Sequence, residues 1–149
     1  MFRLVFATLC TVLFLPLAAS AEIVRVKASG DVPSTADALQ AAVEGAGAKV
    51  FARVDHAGGA ASVGLELAAS QLLIFGNPKL GTPAMQDDPL SGIFLPLRVL
   101  VYEDSDGVWL AYEAPADMLG KLSGVSTDAA YIKMMTGALG KLTNKAAGG

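Results

Sequence analysis

A 149-residue chain with a net charge of −3, its basic residues scattered singly, repels phosphate backbones and excludes nucleic acid as a partner. Its single cysteine, Cys10, excludes an internal disulfide, and a single histidine, His56, leaves no set of soft donors for a transition metal. No cofactor-binding or metal-ligand spacing is visible, so neither is expected.

The first segment carries one positive charge, Arg3, then an apolar run from Leu4 to Leu17, then small residues through Ala18, Ala19, Ser20 and Ala21. That order predicts a secretory signal peptide over residues 1–21, cut near Ala21 with Ala19 as the alternative. The apolar run is about 14 residues, short of the roughly 20 that a spanning helix needs. Ala7-Thr8-Leu9 before Cys10 does not read as a lipidation site. The expected mature chain is therefore a single exported domain, residues 22–149, periplasmic or secreted, with no stable membrane anchor.

In chain order, Ile23 to Ala28 alternates like a half-buried strand. Ser34, with Asp37 three residues on, predicts the start of a helix that buries Leu39, Ala42, Val43 and Ala46 and stops near Gly45 or Gly47. Lys49 to Asp55 returns as a strand with Val50, Ala52 and Val54 on one side. A short helix is expected over Ala60 to Leu67, then a buried strand over Gln71 to Phe75. Leu95 to Tyr102 and Val108 to Ala114 form a hairpin turned by Asp106-Gly107. Leu95, Leu97, Val99 and Val101 face its core; Pro96, Arg98, Leu100 and Tyr102 take the other side.

The last element is a packing helix over about 127–143, with cap candidates Ser126, Thr127 and Asp128. Its stripe holds Tyr131, Met134, Met135, Ala138, Leu139 and Leu142, and Gly137 and Gly140 imply close approach to a neighbour. Together these elements predict a two-layer α+β domain, a roughly five-stranded mixed or antiparallel sheet with helices on one face.

Chemistry concentrates in two places. Phe75-Gly76-Asn77-Pro78-Lys79-Leu80-Gly81-Thr82-Pro83 leaves a buried strand and enters a helix near Thr82-Pro83; its amides and Lys79 suit an anion, or the residues simply shape a turn. The lysine that a phosphate loop requires after the second glycine is absent, which excludes nucleotide hydrolysis. His56 follows Asp55 at a strand end and is the one side chain suited to proton transfer near neutral pH, though strand neighbours point to opposite faces. Asp104-Ser105-Asp106-Gly107 lacks the rest of a calcium loop, and Met118, Met134 and Met135 read as core rather than copper ligands. No serine elbow accompanies His56.

Val54-Asp55-His56-Ala57, Phe75-Gly76-Asn77-Pro78-Lys79, Gly81-Thr82-Pro83 and Leu95-Pro96-Leu97-Arg98-Val99-Leu100-Val101 resemble, in that order, the bacterial family called domain of unknown function 302, over about residues 32–115. The resemblance implies a compact α+β domain, possible dimerisation and no established activity. Carried over by position, its polar residues are Asp55, His56, Asn77, Lys79 and Arg98, with Tyr112 added and Met85 after the loop. Asp87-Asp88 departs from the family pattern at the local helix.

Three functions follow from these residues. The first is a binding or accessory module for a small anionic ligand held by the candidates Asp55, His56, Asn77, Lys79, Arg98 and Tyr112, which requires His56 to lie within about 10 Å of Asn77 and Lys79. The second is an interaction protein acting through a homodimer or partner surface. The third is an enzyme with His56 as general acid or base and Arg98 or Lys79 stabilising negative charge.

Overall fold

The computed structural model describes residues 22–148; the expected signal segment lies outside them. Five strands form one sheet in the order β1-β5-β4-β3-β2, with every neighbouring pair antiparallel. The strands are β1 (Ile23–Lys27), β2 (Lys49–Asp55), β3 (Ser70–Gly76), β4 (Leu97–Asp104) and β5 (Gly107–Glu113). The helices are α1 (Val32–Gly45), α2 (His56–Ser62), α3 (Pro78–Asp87), α4 (Ser91–Phe94), α5 (Pro115–Leu119) and α6 (Ala130–Ala146). This is the α+β class that the sequence predicts, with the sheet wholly antiparallel rather than mixed.

The core lies between one face of the sheet and the helices α1 and α6. Period-two alternation delivers Leu73 and Phe75 from β3, Leu97, Val99 and Val101 from β4, and Val108, Leu110 and Tyr112 from β5 to that side. Val32, Ala36, Leu39 and Val43 of α1, and Ile132, Met135, Leu139 and Leu142 of α6, repeat at helical spacing and fill the other wall. Gly107, at φ 122°, makes the tight β4–β5 turn that Asp106-Gly107 signals.

Several boundaries move, each for a local reason. Helix α1 begins at Val32 because Asp31, not Ser34, is its cap: the Asp31 carboxylate accepts the Ser34 amide at 2.8 Å. Hydrogen bonding by Ser34, from its side chain and its amide, holds that carboxyl below its ordinary range. Helix α2 starts at His56 rather than Ala60, because Asp55 accepts the Gly58 amide at 2.9 Å. Helix α3 starts at Pro78, four residues ahead of Thr82, because Asn77 caps it and proline suits the first turn.

Helix α6 starts at Ala130, past Ser126, Thr127 and Asp128, none of which caps it. Met134 is 50 % exposed, so the buried stripe runs Tyr131, Ile132, Met135, Leu139, Leu142, Thr143 and Ala146 instead. The close approach expected at Gly137 and Gly140 is absent, since a Cβ at either would meet nothing within 4 Å.

A bulge in β2 changes the sidedness of that strand. Val50 stands opposite Phe75, but Ala52 stands opposite Ile74 and Val54 opposite Leu72, so Phe51 is the inserted residue. Val50 therefore faces the helices, while Ala52 and Val54 face away, and the expected common side is lost. Arg53 turns toward α1, where it pairs with Asp37 and donates to the Pro33 carbonyl at 3.3 Å and to Gln71 Oε1 at 2.7 Å.

Tyr131, at the start of α6, donates to Asp87 Oδ2 at 2.8 Å and ties the end of α3 to the core. Burial first, then the Asp87 hydrogen bond and charge, push its phenol up to about 12 from 10.0. A raised phenol keeps its proton in the folded chain after the unfolded chain has lost it, so this contribution is complete below pH 10 and is lost as pH rises toward 12. The urea midpoint of the natural chain should fall more steeply across that window than that of Tyr131→Phe; parallel curves would show that the hydroxyl is not so held.

Candidate functional site

The two ends of β3 carry the two groups of expected site residues. Asp55 pairs with Gln71 at one end, and Gly76, just before Asn77, pairs with Lys49 at the other. Five residue steps separate Gln71 from Gly76, about 17 Å of extended strand. His56 and Asp55 therefore lie at one end of the sheet, Asn77 and Lys79 at the other, beyond any shared hydrogen-bond network. The single polar site that the sequence suggests is not assembled.

Each group has a local occupation. Asp55 is the α2 cap; a Cβ on Gly58 would sit 2.7 Å from its Oδ2, so glycine there lets the carboxylate approach. His56 is exposed in the first turn of that helix. Asn77 Oδ1 accepts the Lys79 amide at 3.0 Å and its Nδ2 donates to the Gly47 carbonyl at 3.4 Å, so both ends of the amide serve the turn. Lys79 is exposed. Tyr112 is 8 % exposed, its phenol raised by burial, and it lines a second cavity of about 310 Å³ together with Arg98, Leu97, Met118 and Leu139. Among the described residues no three of His, Cys, Asp and Glu are grouped closely enough to hold a metal ion.

Arg98 belongs to a different surface. It stands opposite Ile74 on the side of the sheet that faces away from α1 and α6. The register draws one row across all five strands of this face, Arg25, Ala111, Leu100, Leu72 and Val54. Beside it run Ile23, Arg98, Ile74 and Ala52, and on the other flank Lys27, Trp109, Tyr102 and Ser70. Ile23 is 58 % exposed, Val54 is 38 %, and Leu72, Ile74 and Leu100 are half-buried. An open sheet face is normally polar, so this run of aliphatic side chains at its centre is out of keeping with bulk solvent.

One corner of the face is rigid. Arg25 lies 4.3 Å above the Trp109 ring and 5.5 Å from the Tyr102 ring, and its guanidinium meets Asp104 Oδ2 at 2.6 Å. Asp104 Oδ1 accepts the Trp109 indole and the Asp106 amide, both at 2.9 Å. Burial opposes the Asp104 charge, but those hydrogen bonds and Arg25 prevail and hold its carboxyl below the ordinary range.

A cavity of about 330 Å³ opens at the Asn77 end, between Phe51 and Gly76 of the sheet and Leu80, Gly81, Met85, Gly92, Leu95 and Pro96 of α3, α4 and the turn after them. Among its lining side chains only Asn77 and Thr82 are polar. Most of the lining, Gly76, Asn77, Pro78, Gly81, Thr82, Met85 and Leu95 to Leu97, comes from the segments that carry the family resemblance, whereas Phe51, Gly92 and Met135 join it only through the fold.

A five-stranded antiparallel sheet with helices on one face and aliphatic side chains along the middle of the other defines a small two-layer α+β module. Residues 24–142 match the family described as domain of unknown function DUF302, and the chain belongs to it. That match reaches past the 32–115 stretch carried by the motifs, because β1 and α6 are part of the shared fold. The solved structure of an uncharacterized conserved DUF302 protein from Bacillus stearothermophilus superposes with a TM-score of 0.73 at 18 % identity, covering 83 % of this chain and 97 % of that one, and so shares its fold.

Curated relatives include a protein named fluoride-specific ion channel FluC 1 of Brucella suis biovar 1 (strain 1330), 42 % identical over 128 residues, 85 % of this chain and 50 % of that protein. FluC 1 of Brucella abortus biovar 1 (strain 9-941) is likewise 42 % identical, over 47 % of its length. The chain thus spans about half the length of the curated relatives it matches. Among the described residues no helix is long and apolar enough to cross a membrane.

Proposed function

We propose that the chain is an exported accessory domain that acts as a homodimer through the open face of its sheet. The observation that carries this is the row Arg25, Ala111, Leu100, Leu72 and Val54, apolar at its centre and crossing every strand. A second copy is the occupant that suits it. The face carries both signs of charge, Arg25, Lys27 and Arg98 with Asp104 and Glu113, so two copies have opposite charges available to pair across it. Five strands of five to eight residues give a plan of roughly 24 by 17 to 27 Å, about 400 to 650 Å² before side-chain relief, against the ~800 Å² per partner of a standard interface.

The setting of this accessory role is a membrane ion channel of the fluoride-specific kind named for the relatives. The small anionic ligand expected from the loop loses its support, since Asn77 is engaged in capping and His56 stands at the far end of β3.

Light scattering of the mature chain tests the first part: a mass of twice the monomer at micromolar concentration supports it, and a monomer throughout overturns it. For the second, the tagged chain expressed with the host's own fluoride channel should co-purify with it from detergent extracts. Absence of the channel from washes at low and high salt alike would remove that setting and leave the dimer standing.

A further inference from the structure

The cavity at the Asn77 end is built to stay open. Its floor reaches the core at Met135, 1 % exposed, and Leu97, 7 % exposed, while its rim is formed by Phe51, 52 % exposed, and Met85, 40 % exposed. Three glycines line it. A Cβ on Gly76 would meet Pro96 Cβ at 3.4 Å and Phe51 Cε2 at 3.5 Å, the tightest of the three but at the near edge of ordinary contact. At Gly81 the nearest atoms would be Leu95 Cδ1 at 3.6 Å and Met85 Cε at 4.0 Å, and at Gly92 only Met85 Sδ at 3.6 Å. These are ordinary contacts, and neither residue has a positive φ. Alanine would fit the backbone at both positions and at Gly81 would favour helix α3, yet its methyl would occupy the space between the cavity walls.

We propose that this cavity is a binding site for an uncharged, apolar small molecule of bicyclic-aromatic or medium-chain size. Its volume is about twice the ~150 Å³ that holds benzene in a dry engineered cavity. Both sulfur-bearing walls, Met85 and Met135, are unbranched and polarisable, and adapt to flat or linear ligands alike. An ion finds no counter-charge among the lining residues: Asn77 is engaged with the Lys79 amide and the Gly47 carbonyl, and Thr82 offers one hydroxyl. The site is independent of the sheet-face dimer.

Fluorescence titration of the mature chain with N-phenyl-1-naphthylamine tests this. Saturable binding at one site per chain is expected, displaced by 1-octanol and roughly tenfold less well by octanoate. Gly81→Leu and Gly92→Leu should each abolish it, and Gly81→Ala should weaken it while raising the melting temperature, a pairing that mere misfolding cannot give. Should the leucine variants fail to fold, the Gly81→Ala and Gly92→Ala pair decides. Probe binding unchanged in folded glycine variants, or lost on Leu100→Arg of the sheet face instead, overturns the proposal, as does octanoate competing as well as octanol.

Discussion

Leu100→Arg should yield a folded monomer. Leu100 is half-buried at the middle of the row that crosses the sheet, flanked by Ala111 and Leu72. In a lone protomer an arginine there lays its methylenes along the neighbouring aliphatic side chains and keeps its guanidinium in water, so the cost to folding is small. In a face-to-face pair the same group is buried without a counter-ion in both copies. Unpaired buried charge costs about 3–5 kcal/mol, so the dimer should weaken by at least roughly a hundredfold. Sedimentation at matched concentration reads the effect, with the urea midpoint as a check on folding. A variant that stays dimeric would place the contact elsewhere on the molecule.

Phe75→Ala should cost about 3–5 kcal/mol, a large part of the roughly 5–15 kcal/mol that holds a domain of this size together. Phe75 is 2 % exposed and stands between Val50 and Leu97 in the register, on the side covered by the helices. Removing its ring leaves a void that rigid strands on both sides cannot close. Leu72→Ala, three residues earlier on the opposite face, should cost a monomer much less because Leu72 is only half-buried there. Urea unfolding of the two variants in the Leu100→Arg background separates core packing from dimer contacts. Equal losses would mean that the two faces are buried alike in the protomer.

What could be read from the residues was local or periodic. The β4–β5 hairpin follows from Asp106-Gly107 between alternating runs, and Leu97, Val99 and Val101 are buried together as that alternation requires. The same reading, extended along Val108, Leu110 and Tyr112, would have placed Tyr112 in the core rather than at a ligand. Asp55 and Asn77 suit a binding site or a turn equally well in sequence, because Asp and Asn serve ligands and helix caps with the same atoms, and only the fold distinguishes the uses.

The distance between His56 and Asn77 is a property of the sheet, because 21 positions of sequence contain an entire strand and its connection. The Phe51 bulge has no marker such as glycine in that strand, yet it decides which side chains of β2 face the helices. The cavity is only partly legible for a related reason: its α3 wall, Pro78, Leu80, Gly81, Thr82 and Met85, is contiguous in sequence, but Phe51 of β2, Gly92 of α4 and Met135 of α6 reach it only through the fold.

That bulge also bears on how assembly ends. β2 and β1 are the two margins of the sheet, and each is a poor template for another strand: β2 is bent at Phe51, and β1 is only five residues long and carries Arg25 and Lys27. Growth by strand addition along the sheet is discouraged at both margins, whereas pairing across the open face closes on itself after two copies. A fold that leaves one apolar face bare is thereby steered toward a closed pair and away from open-ended ribbons or fibres.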